Sequence, residues 1–303
     1  MVKALIETLV KLQKENEDIV ALIADDGELY HALHEAVPDR TINIGISECN
    51  AVGVSAGMAS CGHLPVVIGG GSFMAYRAYE FIRNQLCMQN RNVKVFGIGT
   101  GMAISILGNT QHATEDVSAL RGLPGLTVMT PATPEEVKNM TALALETEGP
   151  VFLRVGRSCG EDFYQDGFTF EPFRIQEVIG GTDMLIFAMG SIVCDAAAAA
   201  GKIGGSHVGV INVHTVKPLD RERLRMYGAK IKKWLIVEEH NINGGLGGAI
   251  AEAVADEHLQ VELYRMGLAE QFPTGYGTYQ ELKEKNKLSV EDICQKCTEI
   301  LKR

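Results

Sequence analysis

Long basic runs are missing from this chain. Its formal net charge is −10 over 303 residues, and the densest positive stretch is only Lys230-Ile231-Lys232-Lys233. Nucleic acid is therefore excluded as an expected partner. Also missing is any uninterrupted apolar run long enough to span a bilayer, so no membrane association is expected. The first residues, Met1-Val2-Lys3-Ala4-Leu5-Ile6-Glu7, carry acid early and have no apolar core, so no signal peptide is expected. The seven cysteines (Cys49, Cys61, Cys87, Cys159, Cys194, Cys294 and Cys297) form no spaced framework. Such a set predicts reduced thiols in a cytoplasmic protein. Cys294-Gln295-Lys296-Cys297 has neither a second pair nor a nearby His, so a surface or packing role is expected for it. No internal repeat is visible; Ala196–Ala200 is simply a good helix former.

What is present is a large apolar fraction, 46%, arranged in a regular alternation. Short buried-strand runs at 19–24, 41–44, 66–68, 93–97, 126–129 and 151–153 alternate with helical patterns at 52–60, 74–88 and 133–147. Leu5, Leu9, Val10 and Leu12 mark a helical face before them. A second alternating series has strands near 183–189, 208–213, 233–238 and 260–264, with helices at 194–202, 221–227 and 246–255. Strands separated by helices imply β-α-β units and parallel sheets covered on both faces. The expected architecture is α/β, with two mainly parallel, doubly wound domains at 1–160 and 181–303. The polar, Gly-containing stretch 161–180 reads as a linker.

The most informative segment is Gly45-Ile46-Ser47-Glu48-Cys49-Asn50-Ala51-Val52-Gly53. An acid opens a helix whose small residues, Ala51, Gly53, Ser55, Ala56 and Gly57, let it pack closely, so Glu48 is expected to be partly buried. A buried carboxyl without a cation can share a proton with a ring nitrogen. An acid at a helix start also simply favours the positive end of the helix dipole; spacing leaves both readings open. About twenty-five residues on, Phe73, Tyr76 and Tyr79 recur three apart after Gly69-Gly70-Gly71. Such a stripe reads either as core or as a slot for a flat ring, with the glycines marking a strand-to-loop transition.

Two further segments attract functional readings that the residues themselves do not favour. Asp25-Asp26-Gly27-Glu28, followed by Asn50, loosely suggests a metal and diphosphate site, but is better read as a strand end and helix cap. Gly244-Gly245-Leu246-Gly247-Gly248 suggests a nucleotide loop, a weak signal by itself.

Taken together these residues resemble the C-terminal half of transketolases, and the resemblance runs through nearly the whole chain. It rests on Gly45-Ile46-Ser47-Glu48, on Phe73/Tyr76/Tyr79 with Ile82-Arg83, and on the frame Gly108, Thr110, Glu115, Asp116, Leu120 and Arg121. In the second half it rests on His214-Thr215-Val216-Lys217-Pro218-Leu219-Asp220 and on Glu238-Glu239-His240 with the Gly-Gly-Leu-Gly that follows. The resemblance implies a pyrimidine-binding domain followed by the family's C-terminal domain. It also implies thiamine diphosphate, whose aminopyrimidine is hydrogen-bonded by Glu48 and held by Phe73, Tyr76 and Tyr79. Catalysis is implied for Glu48 and His112, and substrate contact for Gln111, His112 and Arg157, with Arg154 as an alternative to Arg157.

This chain departs from the family pattern at the substrate loop. Gln111 stands at the family's His position and His112 at its Gln position, while Leu107 replaces an acid that many members carry. The half that would grip the diphosphate is not in this sequence. The resemblance therefore implies an N-terminal partner subunit holding diphosphate and Mg2+ (or Ca2+), with two copies of each chain assembled into a heterotetramer. No metal site is expected in this chain. The reaction implied is ketol transfer from a ketose phosphate, or a modified or sulfo-sugar analogue, to an aldose. A β subunit of a 2-oxoacid dehydrogenase first component and a non-catalytic assembly subunit of the same fold are the alternatives.

Overall fold

The computed structural model describes residues 1–157, 163–164 and 169–303. The expected 161–180 linker is thus only partly within the described residues, and Cys159 lies outside them.

Among the described residues, twelve strands build two sheets. In the first half they are β1 (Ile19–Ile23), β2 (Thr41–Asn43), β3 (Leu64–Gly70), β4 (Lys94–Ile98), β5 (Thr127–Met129) and β6 (Val151–Val155). The second half carries β7 (Gln176–Ile179), β8 (Met184–Ala188), β9 (Val208–Asn212), β10 (Thr215–Lys217), β11 (Lys233–Asn241) and β12 (Glu262–Leu268). The seven-stranded sheet has the order β10-β5-β6-β4-β3-β1-β2, and the five-stranded sheet the order β12-β11-β8-β9-β7. All pairings are parallel except β10 with β5 and β7 with β9. A parallel sheet must be covered on both faces, which is why β1, β6, β8 and β9 are buried along their whole length.

Two differences from the sequence reading stand out. β7 lies inside the stretch read as linker, because its antiparallel pairing with β9 gives no crossover-helix signal. β10, from the second half, crosses over and adds an antiparallel edge to the first sheet, with Thr215 opposite Met129. It is only three residues long, too short to carry a periodicity.

The first sheet has two apolar faces. One is covered by helices Val2–Glu15, Gly27–Ala36 and Pro134–Glu146, through Leu5, Leu9, Leu29, Leu33, Val137 and Met140. The other is covered by helix Glu48–Ser60, the helical segment 73–87 and helix Asp116–Arg121, through Ala51, Val52, Met74, Ile82 and Leu120. Burying each such Leu, Ile or Met is worth roughly 1.5–3 kcal/mol. All helices of the second face follow the carboxyl ends of β2, β3 or β4, where an open parallel sheet places its ligands.

Asp26 caps helix Gly27–Ala36 by accepting from the Leu29 amide at 3.0 Å, the structural role expected for that acidic stretch. Cys297 is buried in the second domain's core and Cys294 packs against it. Cys49, Cys61, Cys87, Cys294 and Cys297 are free thiols. Cys194, in contrast, is disulfide-bonded, against the expectation of reduced thiols throughout. Sequence spacing carries no trace of a bridge that only the tertiary fold brings together. No helix among the described residues is long and apolar enough to cross a membrane.

Candidate active site

Glu48 is the first residue of helix Glu48–Ser60 and is 1% exposed. Gly45, at φ 72°, turns the chain out of β2, and Ser47 ties back to the Ile44 carbonyl through its hydroxyl at 2.6 Å. One carboxylate oxygen, Oε2, accepts from Arg77 Nη1 at 2.8 Å. The other, Oε1, is buried and has no partner among the described residues. The sequence reading treats Glu48 as an acid without a facing cation; the structure places one there. Arg77 lies between Tyr76 and Tyr79, so its position inside the stripe is the one signal available in the sequence.

The aromatic stripe does not lie on an ordinary helix. β3 runs straight into helix without the expected loop, and residues Phe73–Arg77 form a π turn closed by the Ala78 amide on the Phe73 carbonyl at 3.2 Å. The wider π turn splays residues three apart, a distortion common at functional sites. Phe73 is half-buried beside Gly70, where an added Cβ would come within 2.9 Å of its ring. Glycine at position 70 is what lets this ring lie against the strand end. Against the ring also sits the Arg77 guanidinium, 4.6 Å from the centroid. Tyr76, 39% exposed, turns instead toward the loop after β4: its hydroxyl donates to Glu115 Oε2 at 2.9 Å and accepts from the Glu115 amide at 2.8 Å. Burial, helped by the Asp116 charge, pushes the Tyr76 phenol up, so it stays protonated. Tyr79 packs partly buried against the core cluster of the same face.

The loop 99–116 is an excursion closed at its base by paired Gly101 and Ala113 backbones, at 3.1 and 2.9 Å. His112 is 2% exposed, and neither ring nitrogen has a side-chain hydrogen-bond partner among the described residues. Burial lowers its pKa from the ordinary histidine value, so the ring is neutral at neutral pH. It lines a cavity of about 910 Å³ with Tyr76, Asn109, Thr110, Glu115 and, from the second domain, Asn241, Glu270, Gln271 and Phe272. Gln111 is half-buried and does not line this cavity; Leu107 is exposed. Arg157 does not line it either: it is exposed after β6, with its guanidinium 5.4 Å from the Tyr279 ring centroid. Arg154, the alternative ligand, is buried and committed to an ion pair, its Nε donating to Asp116 Oδ2 at 2.7 Å. Glu48, Phe73, Tyr76, Tyr79 and His112 thus gather after β2, β3 and β4, linked through the 73–77 turn and Glu115.

The second domain holds this loop. Glu239 accepts from the Met102 amide and from the Tyr279 hydroxyl, and His240 Nε2 accepts from the Ser118 amide at 3.2 Å. The Asn241 amide donates to the Thr114 carbonyl at 2.7 Å. Glu238 has a different task. Its carboxylate takes the Leu246 and Gly247 amides at 2.7 and 3.0 Å, filling the start of helix Leu246–Asp256. The glycine-rich loop is therefore already occupied by a side chain where a nucleotide phosphate would need to sit. Among the described residues no group of three His, Cys, Asp or Glu side chains could hold a metal ion.

Comparison with known proteins gives this geometry a family. The transketolase pyrimidine-binding domain matches residues 1–161, and the transketolase C-terminal domain matches residues 174–293. The chain belongs to the transketolase family. It is 32% identical over 271 residues to one subunit of the apulose-4-phosphate transketolase from Actinobacillus succinogenes, covering 88% of this chain and 87% of that one. It is 30% identical to the 6-deoxy-6-sulfo-D-fructose transketolase subunit SqwH from Clostridium sp., over 98% of this chain and 93% of the relative. Among solved structures, a split-gene transketolase described as an inactive beta4 tetramer superposes with a TM-score of 0.89. Its identity is 33%, over 99% of this chain and 97% of that one. These relatives are of the same length class as the chain, so these matches are to separate subunits rather than to one half of a longer enzyme.

Proposed function

We propose that this chain is the pyrimidine-holding subunit of a two-chain, thiamine diphosphate-dependent transketolase. An N-terminal partner subunit carries the diphosphate and Mg2+ (or Ca2+), and the assembly is a cytoplasmic heterotetramer with two copies of each chain. The observation that carries this reading is the bare, buried Glu48 Oε1, on a carboxylate that Arg77 links to the Phe73 ring. A buried carboxylate oxygen without a donor is costly, and a flat ring with a nitrogen edge satisfies the oxygen and the ring face together. The names of the split-subunit relatives support the two-chain assembly.

When bound, thiamine diphosphate supplies the nucleophilic carbon and the electron sink for cleaving a ketose carbon–carbon bond. The remaining work belongs to the protein. Glu48, through its unpartnered Oε1, would hold a nitrogen edge of the pyrimidine and set the ring's orientation. Phe73 stacks on that ring, adding stabilisation beyond the area buried, and Tyr79 supports the same wall. Tyr76, anchored to Glu115 in both directions, fixes the slot against the substrate cavity. His112, neutral and with no side-chain partner on its ring, can offer a nitrogen to a substrate oxygen or hydroxyl. Gln111, half-buried outside that cavity, is the alternative to His112 for the same oxygen. Arg157, exposed outside the cavity and resting by Tyr279, would have to turn from that ring to offer its bidentate fork to an anionic end, phosphate or sulfonate alike. A ketose bearing such an end is the donor that the relatives' names, with apulose 4-phosphate and 6-deoxy-6-sulfo-D-fructose in them, also favour.

The test is to mix the chain with its candidate partner subunit and titrate thiamine diphosphate plus Mg2+ calorimetrically. Binding is expected for the mixture and for neither chain alone. A Glu48→Gln complex is expected to lose turnover by about 10²–10⁴; unchanged turnover would remove Glu48 from catalysis.

A further inference from the structure

Two contacts converge on one side chain. The Arg77 guanidinium donates to Glu48 at 2.8 Å and lies 4.6 Å from the Phe73 centroid. Those are the two groups assigned to the aminopyrimidine, the Glu48 carboxylate and the Phe73 face, with Arg77 on Oε2 and Oε1 left open. A guanidinium is planar, carries N–H donors on its edge and stacks on aromatic faces. In shape and in hydrogen-bonding it imitates a small protonated heterocycle. Two planar groups cannot lie on the same face of Phe73 at once, so Arg77 and the ring compete for that face rather than for one carboxylate oxygen.

We propose that Arg77 is a placeholder for the cofactor ring: its guanidinium fills the slot before the cofactor enters and is displaced when the pyrimidine binds. This deepens the cofactor reading and rests on it. Two physical consequences make the arrangement self-consistent. Without a partner, Glu48 would be a buried, uncompensated carboxylate, which strongly destabilises a folded chain; Arg77 supplies the missing charge and keeps Glu48 aimed into the slot. The Arg77 side chain is also 49% exposed while Glu48 is 1% exposed, so the guanidinium reaches in from the solvent side. It can withdraw without opening the core. Its backbone stays fixed, with the Cys49 thiol 3.3 Å from its carbonyl and the π turn closed just beyond it. Arg77 is a positioning residue here, acting on the acid that touches the cofactor, and the need to displace it weakens the observed cofactor affinity.

The experiment compares thiamine diphosphate affinity, in saturating Mg2+, of two-chain complexes carrying wild-type Arg77, Arg77→Ala, Arg77→Gln or Arg77→Lys. Calorimetry gives the dissociation constant, and thermal unfolding with and without cofactor gives a second readout. Removing the placeholder is expected to tighten binding roughly three- to tenfold in the Ala and Gln complexes, the size appropriate to a half-exposed ion pair. Lys, which keeps the charge and loses the plane, is expected to fall between them and wild type. The cofactor-free Ala complex is expected to melt lower, and its gain on adding cofactor to be larger. A residue with only a structural role would weaken binding when removed. Equal or weaker binding by both neutral variants, with wild type binding normally, overturns the placeholder. Should the wild-type complex itself fail to bind, the cofactor reading falls and this inference with it.

Discussion

Arg154 donates from Nε to Asp116 Oδ2 at 2.7 Å, with both side chains buried. Its Nη2 also reaches the carbonyls of Ala113 and Glu239, at 3.1 and 3.3 Å. One guanidinium thus ties β6 of the first domain, the end of the substrate loop and β11 of the second domain. Burial works against the charged guanidinium, yet Asp116 and Glu239 hold its pKa above the ordinary arginine value. It therefore remains a permanent cation in the core.

Breaking that pair leaves an uncompensated buried charge. Arg154→Met is expected to lower stability by about 3–5 kcal/mol, read as a drop in the urea midpoint with an unchanged slope. The double variant Arg154→Met/Asp116→Leu is expected to recover much of the loss, since a well-packed apolar pair of similar volume is often neutral. A double variant no more stable than Arg154→Met would show that the carbonyl contacts, not the ion pair, carry the anchoring.

His112 makes a different prediction, because no side chain among the described residues hydrogen-bonds its nitrogens and only the Ile104 backbone acts on the ring as a hydrogen-bond partner. His112→Ala in the reconstituted complex is expected to reduce kcat/KM by about 10²-fold or more. Truncating this buried ring also removes packing, so the unfolding free energy of this chain is expected to fall by about 1–3 kcal/mol, and rates are compared where both proteins are folded. His112→Asn, which keeps one donor and one acceptor, is expected to restore part of the rate. Equal rates for wild type and His112→Ala would assign the substrate oxygen to Gln111.

How much of this is legible in the sequence differs by length scale. The parallel cores are readable because strands buried on both faces are apolar throughout, as in Ile19–Ile23 and Met184–Ala188. Glu48 and Phe73 are legible through the family motif, whereas spacing alone leaves both open. Arg77 is not, because its meaning depends on reaching back 29 residues to Glu48. The π turn at Phe73–Arg77 is invisible since a single inserted residue leaves no mark on an aromatic stripe. The grip of Glu239 and His240 on the substrate loop is also hidden, its contacts spanning 137 and 122 residues between segments each unremarkable by itself. Composition speaks to cores; it is nearly silent on polar contacts between distant loops.

The Glu238 cap predicts strict intolerance at Gly245. An added Cβ there would collide with the Glu238 carboxylate and approach His240 Nδ1 at 2.6 Å. Both side chains are buried and neither can swing aside, so Gly245→Ala is expected to destabilise by about 2 kcal/mol or more. It is also expected to loosen the start of helix Asp116–Arg121, because His240 holds the Ser118 amide. Hydrogen exchange at Ser118 is the measurement: faster exchange in the variant is expected, and unchanged protection would show that the two ends of the motif act independently.

The pH dependence of folding offers a last test, through His214. This side chain is buried beside Phe170, and burial, with the Arg223 charge acting in the same direction, pushes its pKa down to about 4 from an ordinary 6.5. Its Nδ1 faces the Thr215 hydroxyl at 3.0 Å, at the start of the strand that crosses into the first sheet. The sign follows from linkage: between pH 6.5 and 4 the unfolded chain binds a proton at this position and the folded chain does not. Stability is therefore full above about pH 6.5 and falls as pH drops toward 4, by at most about 3 kcal/mol. Glu238, whose carboxyl is raised to about 7 mainly by burial, works the other way and loses stability as pH rises toward 7. These two contributions oppose each other between about pH 5 and 7. His214→Asn removes one arm, so its stability should rise as pH is lowered across that interval, relative to wild type. Urea unfolding at about pH 5 and about pH 7 measures the difference, and parallel behaviour of the two proteins would mean that His214 is protonated in the folded chain.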